Sequence, residues 1–305
     1  MDKMATSSTT SPTTTTRKRK QRSDDQHDND DALERVLAIV EACRRRRQQQ
    51  HTGNDDGDDA QRRRWRPARP SIGLLKPIRF AFGLDEHPIA NNTLYGGRRR
   101  HRASSSLELG IRVHAELELC AEWHPPRSWP PPADALPSES QGAASLHPMT
   151  LAILDALNEH RWRLLASEVP LYDAASGIET RADVVAFDEH RGRLVLIEVK
   201  TGHSSGYQTT LHTRTARLPV IEPVRDSYET RAHLQLCWMD WALRSYVADG
   251  TAVDVLAVVL RVDGAGTRAP EPLRPWARKN QAAIVAAIAR AALVTASAIA
   301  AGADR

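Results

Sequence analysis

A chain of 305 residues is long enough for one sizeable domain with some extra, or for two small ones. Its net charge of +4, from 42 Lys and Arg against 38 Asp and Glu, hides arginine clusters at Arg44–Arg47, Arg62–Arg64 and Arg98–Arg100 with Arg102, which suit either a polyanionic partner or a solvated tail. Cys43, Cys120 and Cys237 lie far apart; they exclude a disulfide framework and any zinc-ribbon or iron–sulfur spacing, and a reducing, intracellular setting is the simplest reading.

Residues 1–30 are polar and of low complexity, and they cannot bury enough apolar surface to offset their ordering entropy. Within them "RKRK" at 17–20 fits a nuclear localisation signal and equally a basic patch in a disordered tail. A helix is expected over 31–50, with Leu33, Val36, Ile39 and Val40 on one face, and "HTGNDDGDDAQ" reads as a flexible linker. The expected division is a disordered, Arg-rich tail over 1–70 and a folded domain over 71–305.

Ser105 and Glu108 have capping-box spacing and predict a helix through "LELGIRVHAELELCAEW". "HPPRSWPPPADALPS" cannot continue it, and a second helix runs through "TLAILDALNEHRW". Strands are predicted at 163–172, 180–187 and 193–200, the last two joined by "DEHRG", where Gly192 can take a positive φ. Residues 201–225 show no element of their own. Asp226 and Glu229 predict the start of a helix reaching about Tyr246, 253–262 is a fourth strand, and an alanine-rich helix from Pro275 closes the chain. Its apolar run after Arg290 is too short for a bilayer core of about 30 Å, so a soluble protein without a membrane partner is expected. The sum is an α/β domain, a central mixed sheet flanked by helices.

Chemistry concentrates in "LVLIEVK". Strand alternation puts Leu194, Leu196, Glu198 and Lys200 on one face and Val195, Ile197 and Val199 on the other. If Asp183 opens the pairing of its strand and Glu198 closes the partner, antiparallel pairing brings the two carboxylates together. A hard divalent cation relieves such repulsion, and Lys200 beside it suits a phosphate or a nucleophilic water. The pattern outlines a metal-dependent phosphodiesterase. An exposed Asp…Glu–Lys salt bridge on an edge hairpin would produce the same three letters.

Asp183 followed by Glu198-Val199-Lys200 resembles the PD-(D/E)xK nuclease superfamily. Gly110 and His114 in "LGIRVH", Glu168 in "ASEVPLY", the continuation "EVKTG" and Gln235 in "HLQLCWMDWAL" are similar to its RecB-like and mitochondrial genome maintenance exonuclease-like branch. Met239 stands where that branch has a tyrosine. The resemblance covers roughly residues 105–260 and implies a restriction-endonuclease-like core acting as a deoxyribonuclease, more exonuclease than endonuclease, in DNA repair, recombination or replication. It implies Mg²⁺ or Mn²⁺ held by Asp183, Glu198 and the Val199 carbonyl, assisted by His114 and Glu168. Lys200 would act on the water or the phosphate, and Gln235 would position Lys200 or substrate. The four cysteines of the iron–sulfur subclass are missing, so no such cluster is expected. DNA, single-stranded or with free ends, would be the partner, contacted by Arg181, Arg214 and Arg217. A binding module that has lost catalysis is the alternative. His114 and Glu168 also have bland readings, as a core histidine beside Leu107 and Ile111 and as an exposed strand glutamate.

Overall fold

The computed structural model describes residues 29–45, 72–82, 98–123, 146–201, 210–215, 225–246 and 253–303. The basic run at 17–20, the linker at 51–61, the proline-rich connector, Gly202 and Arg217 lie outside them. Four long strands dominate: β2 (Trp162–Asp173), β3 (Ile178–Asp188), β4 (Arg193–Thr201) and β7 (Val255–Asp263), each within a few residues of its predicted position. β2, β3 and β4 form an antiparallel meander, and β7 lies parallel to β4, with Leu194 opposite Val255 through Thr201 opposite Val262. The connection to β7 needs a crossover, which helix α5 (Tyr228–Arg244) supplies. Short strands trim the edges: β1 (Ile72–Gly73) beside β3, and β8 (Gly266–Thr267) and β9 (Glu271–Pro272) beside β7.

Both faces of this mixed sheet are covered. Leu194 and Leu196 belong to an apolar cluster with α5, a helix over 29–45 (α1), α2 (Leu75–Phe82), α6 (Pro275–Lys279) and α7 (Gln281–Ala303). Val195, Ile197 and Val199 belong to a second cluster with α3 (Arg98–Trp123) and α4 (Pro148–Glu159). The alternation read from "LVLIEV" is therefore the division between the two layers.

Several expectations are corrected. The boundary at residue 70 does not hold for α1, because Val36, Ile39, Val40 and Cys43 are buried in the main core. The Asn29 side-chain amide donates to the Glu189 carbonyl at 3.1 Å, pinning α1 to the β3–β4 turn. In that turn Gly192 has φ +61°, the left-handed region that favours glycine, and an added Cβ would stand 2.7 Å from Asn29 Oδ1, displacing that side chain.

α3 begins at Arg98, which makes Ser105 an interior residue rather than a cap. α4 stops at Glu159; Arg161 turns the chain with φ 55°, and Trp162 opens β2 instead of closing the helix. The cap of α5 is Ser227, whose hydroxyl accepts from the Thr230 amide at 3.1 Å, one residue beyond Asp226. Residues 201–225 do hold structure, since β5 (Thr210–Thr215) pairs with β6 (Arg225–Ser227). The closing helix is two helices, and α7 at 23 residues is longer than the apolar run after Arg290. Gln281–Ala298 reaches the length and apolarity of a membrane span, with a mean hydropathy of 1.6. Ile284, Ile288 and Ala292 on this helix are buried in the core cluster.

The three cysteines sit on three different helices as buried thiols outside any disulfide. Burial pushes Cys120 up to about 11 and Cys237 to about 12, far from the reactive thiolate.

Candidate active site

The ladder between β3 and β4 runs from Asp188 opposite Arg193 to Val184 opposite Ile197. One step further, at Asp183 and Glu198, the backbone pairing ends. Asp183 turns its carboxylate into the gap, where Oδ2 accepts from the Val199 amide at 2.7 Å. A side chain thus takes the place of a ladder carbonyl, and Ser167 from β2 holds the Asp183 carbonyl through a 2.6 Å hydroxyl hydrogen bond. Asp183 and Glu198 are both buried, against the ordinary preference of carboxylates. Burial first, and then the negative charge of Glu198, push Asp183 up to about 7.

Glu198 is 1% exposed, and its Oε1 accepts from the Lys200 ammonium. Its Oε2 is buried without a hydrogen-bond partner. An exposed salt bridge is therefore not what these residues form. Burial works to lower Lys200, but the carboxylates of Glu198 and Asp183 outweigh it and hold the ammonium above the ordinary lysine value. The Lys200 side chain is 24% exposed. It lines a shallow surface recess with Arg261, Val262 and Asp263, on the seam where Lys200 stands opposite Arg261 of β7.

α3 brings His114 to the same place. Its Nδ1 lies 2.6 Å from Glu168 Oε1 and 3.7 Å from Asp183 Oδ1. Burial would lower this imidazole, yet the bond to Glu168 and the charges of Asp183, Glu168 and Glu198 raise it above 6.5. Glu168 is held low, against its own burial, by His114 and by Arg181, whose guanidinium is 3.5 Å from the second carboxylate oxygen. The core-histidine reading fails on its neighbour: Ile111 is among the exposed large apolar residues.

Local anchoring explains why α3 stays in position. Glu116, half a turn beyond His114, accepts from Arg112, from the Thr150 hydroxyl at 2.6 Å and from the His147 amide at 2.7 Å, tying α3 to the start of α4. At Gly110 a Cβ would meet Thr201 Oγ1 at 3.4 Å, an ordinary contact, so this glycine marks where helix and strand end meet without being obligatory.

Two features of the site had no counterpart in the sequence reading. Glu168 has φ 52° in the middle of β2, a left-handed conformation that a non-glycine residue adopts at a cost of about 1–2 kcal/mol. The twist breaks the pairing of Glu168 with Asp183, while Ser167 with Val184 and Val169 with Ala182 remain paired, and the carboxylate goes to His114. The Ser167 brace is the second. Neither has a local sequence signal, because both arise from packing between strands.

The structure thus brings His114, Glu168, Asp183, Glu198 and Lys200 together, with Val199 present through its backbone amide and Arg181 at the rim. It does not bring in the rest. Gln235 is half-buried on α5 and makes no hydrogen bond to those five residues. Trp238, near the missing tyrosine, is fully buried in the core. Arg214 falls on β5 of the separate two-stranded sheet. Comparison with protein-family models, with curated proteins and with solved structures finds no match.

Proposed function

We propose that this chain is a divalent-metal-dependent deoxyribonuclease of PD-(D/E)xK type, with a restriction-endonuclease-like core. The observation that carries the reading is the convergence of Asp183, Glu198 and Lys200 with His114 and Glu168 at the point where β3 and β4 part. The meander, helical crossover and parallel strand support the fold half of it.

The donors fit a hard divalent cation of the Mg²⁺ or Mn²⁺ class. One ligand atom from each of His114, Glu168 and Asp183 lies within 4.8 Å of the others, and the buried Glu198 Oε2 is left without a partner. Asp183 and Glu198 would hold the cation with the Val199 carbonyl, flanked by His114 and Glu168. When bound, it would supply Lewis-acid activation of water and neutralise charge on the phosphate.

The chain's own groups do the remaining work. Lys200, partly exposed at the recess, places a permanent positive charge where a phosphate gains charge in the transition state. Asp183, held up to about 7 by burial and by Glu198, would release its proton when a cation binds. The His114–Glu168 pair keeps the imidazole oriented and its proton at Nδ1. Arg181, half-exposed beside Glu168, suits an adjacent backbone phosphate.

End-labelled linear DNA and circular DNA, each incubated with and without Mg²⁺ or Mn²⁺, test the proposal. Metal-dependent shortening of the linear substrate, with the circle intact, is expected of an end-directed enzyme. If DNA is bound but neither substrate is cut with either metal, the chain is a binding module and the nuclease reading fails.

A further inference from the structure

A second constellation lies on the α5 side of the sheet, outside the site just described. Glu229 and His233 are four residues apart on α5 and so share one helix face. Glu271 reaches the same point from β9, which pairs with Val259 of β7. One ligand atom from each of the three lies within 4.8 Å of the others.

His233 is completely buried, and neither ring nitrogen has a hydrogen-bond partner; Glu271 Oε2 is buried without one as well. Buried polar atoms are seldom left this way. Orphaned atoms on a histidine and on a carboxylate of the same cluster are what a missing ligand would leave behind. We infer that Glu229, His233 and Glu271 form a second metal site, taking a borderline divalent ion of the Zn²⁺ class. One imidazole nitrogen with two carboxylates and no further oxygen donor suits a four-coordinate ion of that class, whereas Mg²⁺ and Ca²⁺ require more oxygen ligands than this cluster supplies.

Arg274 supplies positive charge between these carboxylates. Its guanidinium pairs with Glu229 Oε1 and lies 3.7 Å from Glu271 Oε2, while Arg261 holds Glu271 Oε1 at 3.4 Å. The Arg274 side chain is 41% exposed, so it can turn to solvent when a metal enters. No covalent step is involved; a dication replaces a guanidinium between two carboxylates.

The test uses the full chain with Asp183→Asn, Glu198→Gln, His114→Ala and Glu168→Gln, which remove the first site's side-chain donors. Co²⁺ is titrated by its visible d–d absorption and Zn²⁺ by competition, with melting temperature followed in parallel. One ion per chain is expected, together with a rise in melting temperature. Adding Glu229→Gln and Glu271→Gln weakens uptake by about 100-fold, as loss of two of three ligands requires. Arg274→Ala instead tightens it by about tenfold, because no ion pair has to be broken. Both Glu229 and Arg274 are partly exposed, so these variants fold even where changes at the buried His233 do not. Uptake unchanged by the glutamine variants, or absent even with Arg274→Ala, overturns the inference. DNA cleavage plays no part in this readout.

Discussion

The two histidine–carboxylate clusters, one assembled by α3 with β2, β3 and β4 and the other by α5 with β9, settle their charges differently. His114 is partly buried and hydrogen-bonded to Glu168, and the surrounding carboxylates raise it despite burial. His233 is completely buried, has no hydrogen bond and faces a guanidinium, so burial and charge act together and take it down to about 4. Each cluster also holds an internal cation, Lys200 against Glu198 and Arg274 against Glu229. The difference teaches that a carboxylate at hydrogen-bond distance can outweigh the desolvation of an imidazole, whereas burial without one leaves it neutral.

The largest expected effect separates the clusters by activity. Lys200→Ala and Asp183→Asn should each lower metal-dependent DNA cleavage by about a thousandfold, with circular dichroism unchanged. Glu229→Gln should leave cleavage near the parent rate. If it were as damaging as Lys200→Ala, the two clusters would be one functional unit.

Stability gives the next largest contrast. Asp183 titrates at about 7 in the folded, cation-free chain against an ordinary 3.8, so the folded state binds the extra proton between those values. Cation-free stability should therefore fall as pH rises from roughly 4 to 7, the slope following the extra proton bound by the native state. Asp183→Asn imitates the protonated form and should raise stability at pH 8 by about 1–2 kcal/mol. Denaturant midpoints at both pH values check this, and a less stable variant at pH 8 would contradict it.

Glu168 tests backbone strain. At φ 52° glycine is easier than any L side chain, so Glu168→Gly should be more stable than Glu168→Ala by about 1 kcal/mol, the reverse of the usual order in a strand. Both variants lose the His114 partner and should lose activity together. The smallest effect belongs to Arg181→Ala, which should weaken DNA binding at low salt and reduce the salt slope by about 1. An unchanged slope would remove Arg181 from the DNA-contacting surface.

Much of the molecule was written in local pattern. Apolar runs bounded by turn residues marked β2, β3, β4 and β7 to within a few residues, because strand preference and turn chemistry are local. The positive φ at Gly192 followed in the same way from the turn it closes. Asp183, Glu198 and Lys200 stood out because charges at the end of an apolar strand need a partner.

Non-local contacts decided the rest. Leu33, Val36, Ile39 and Val40 were visible as an apolar face of α1, but nothing in residues 1–70 said that the face docks onto the main core. The cap of α5 moved from Asp226 to Ser227, a choice between adjacent good caps that packing makes. Glu271 is separated from Glu229 and His233 by β7 and its turns, so their meeting could not be read from spacing. By itself the sequence determined which strands exist and which charges they carry to their ends. Only the tertiary structure decided that β3 and β4 part at Asp183, that Glu168 twists to reach His114, and that His233 is sealed without a hydrogen bond. Those outcomes depend on which surfaces exclude water from one another, and burial of that kind is a property of the whole packed chain.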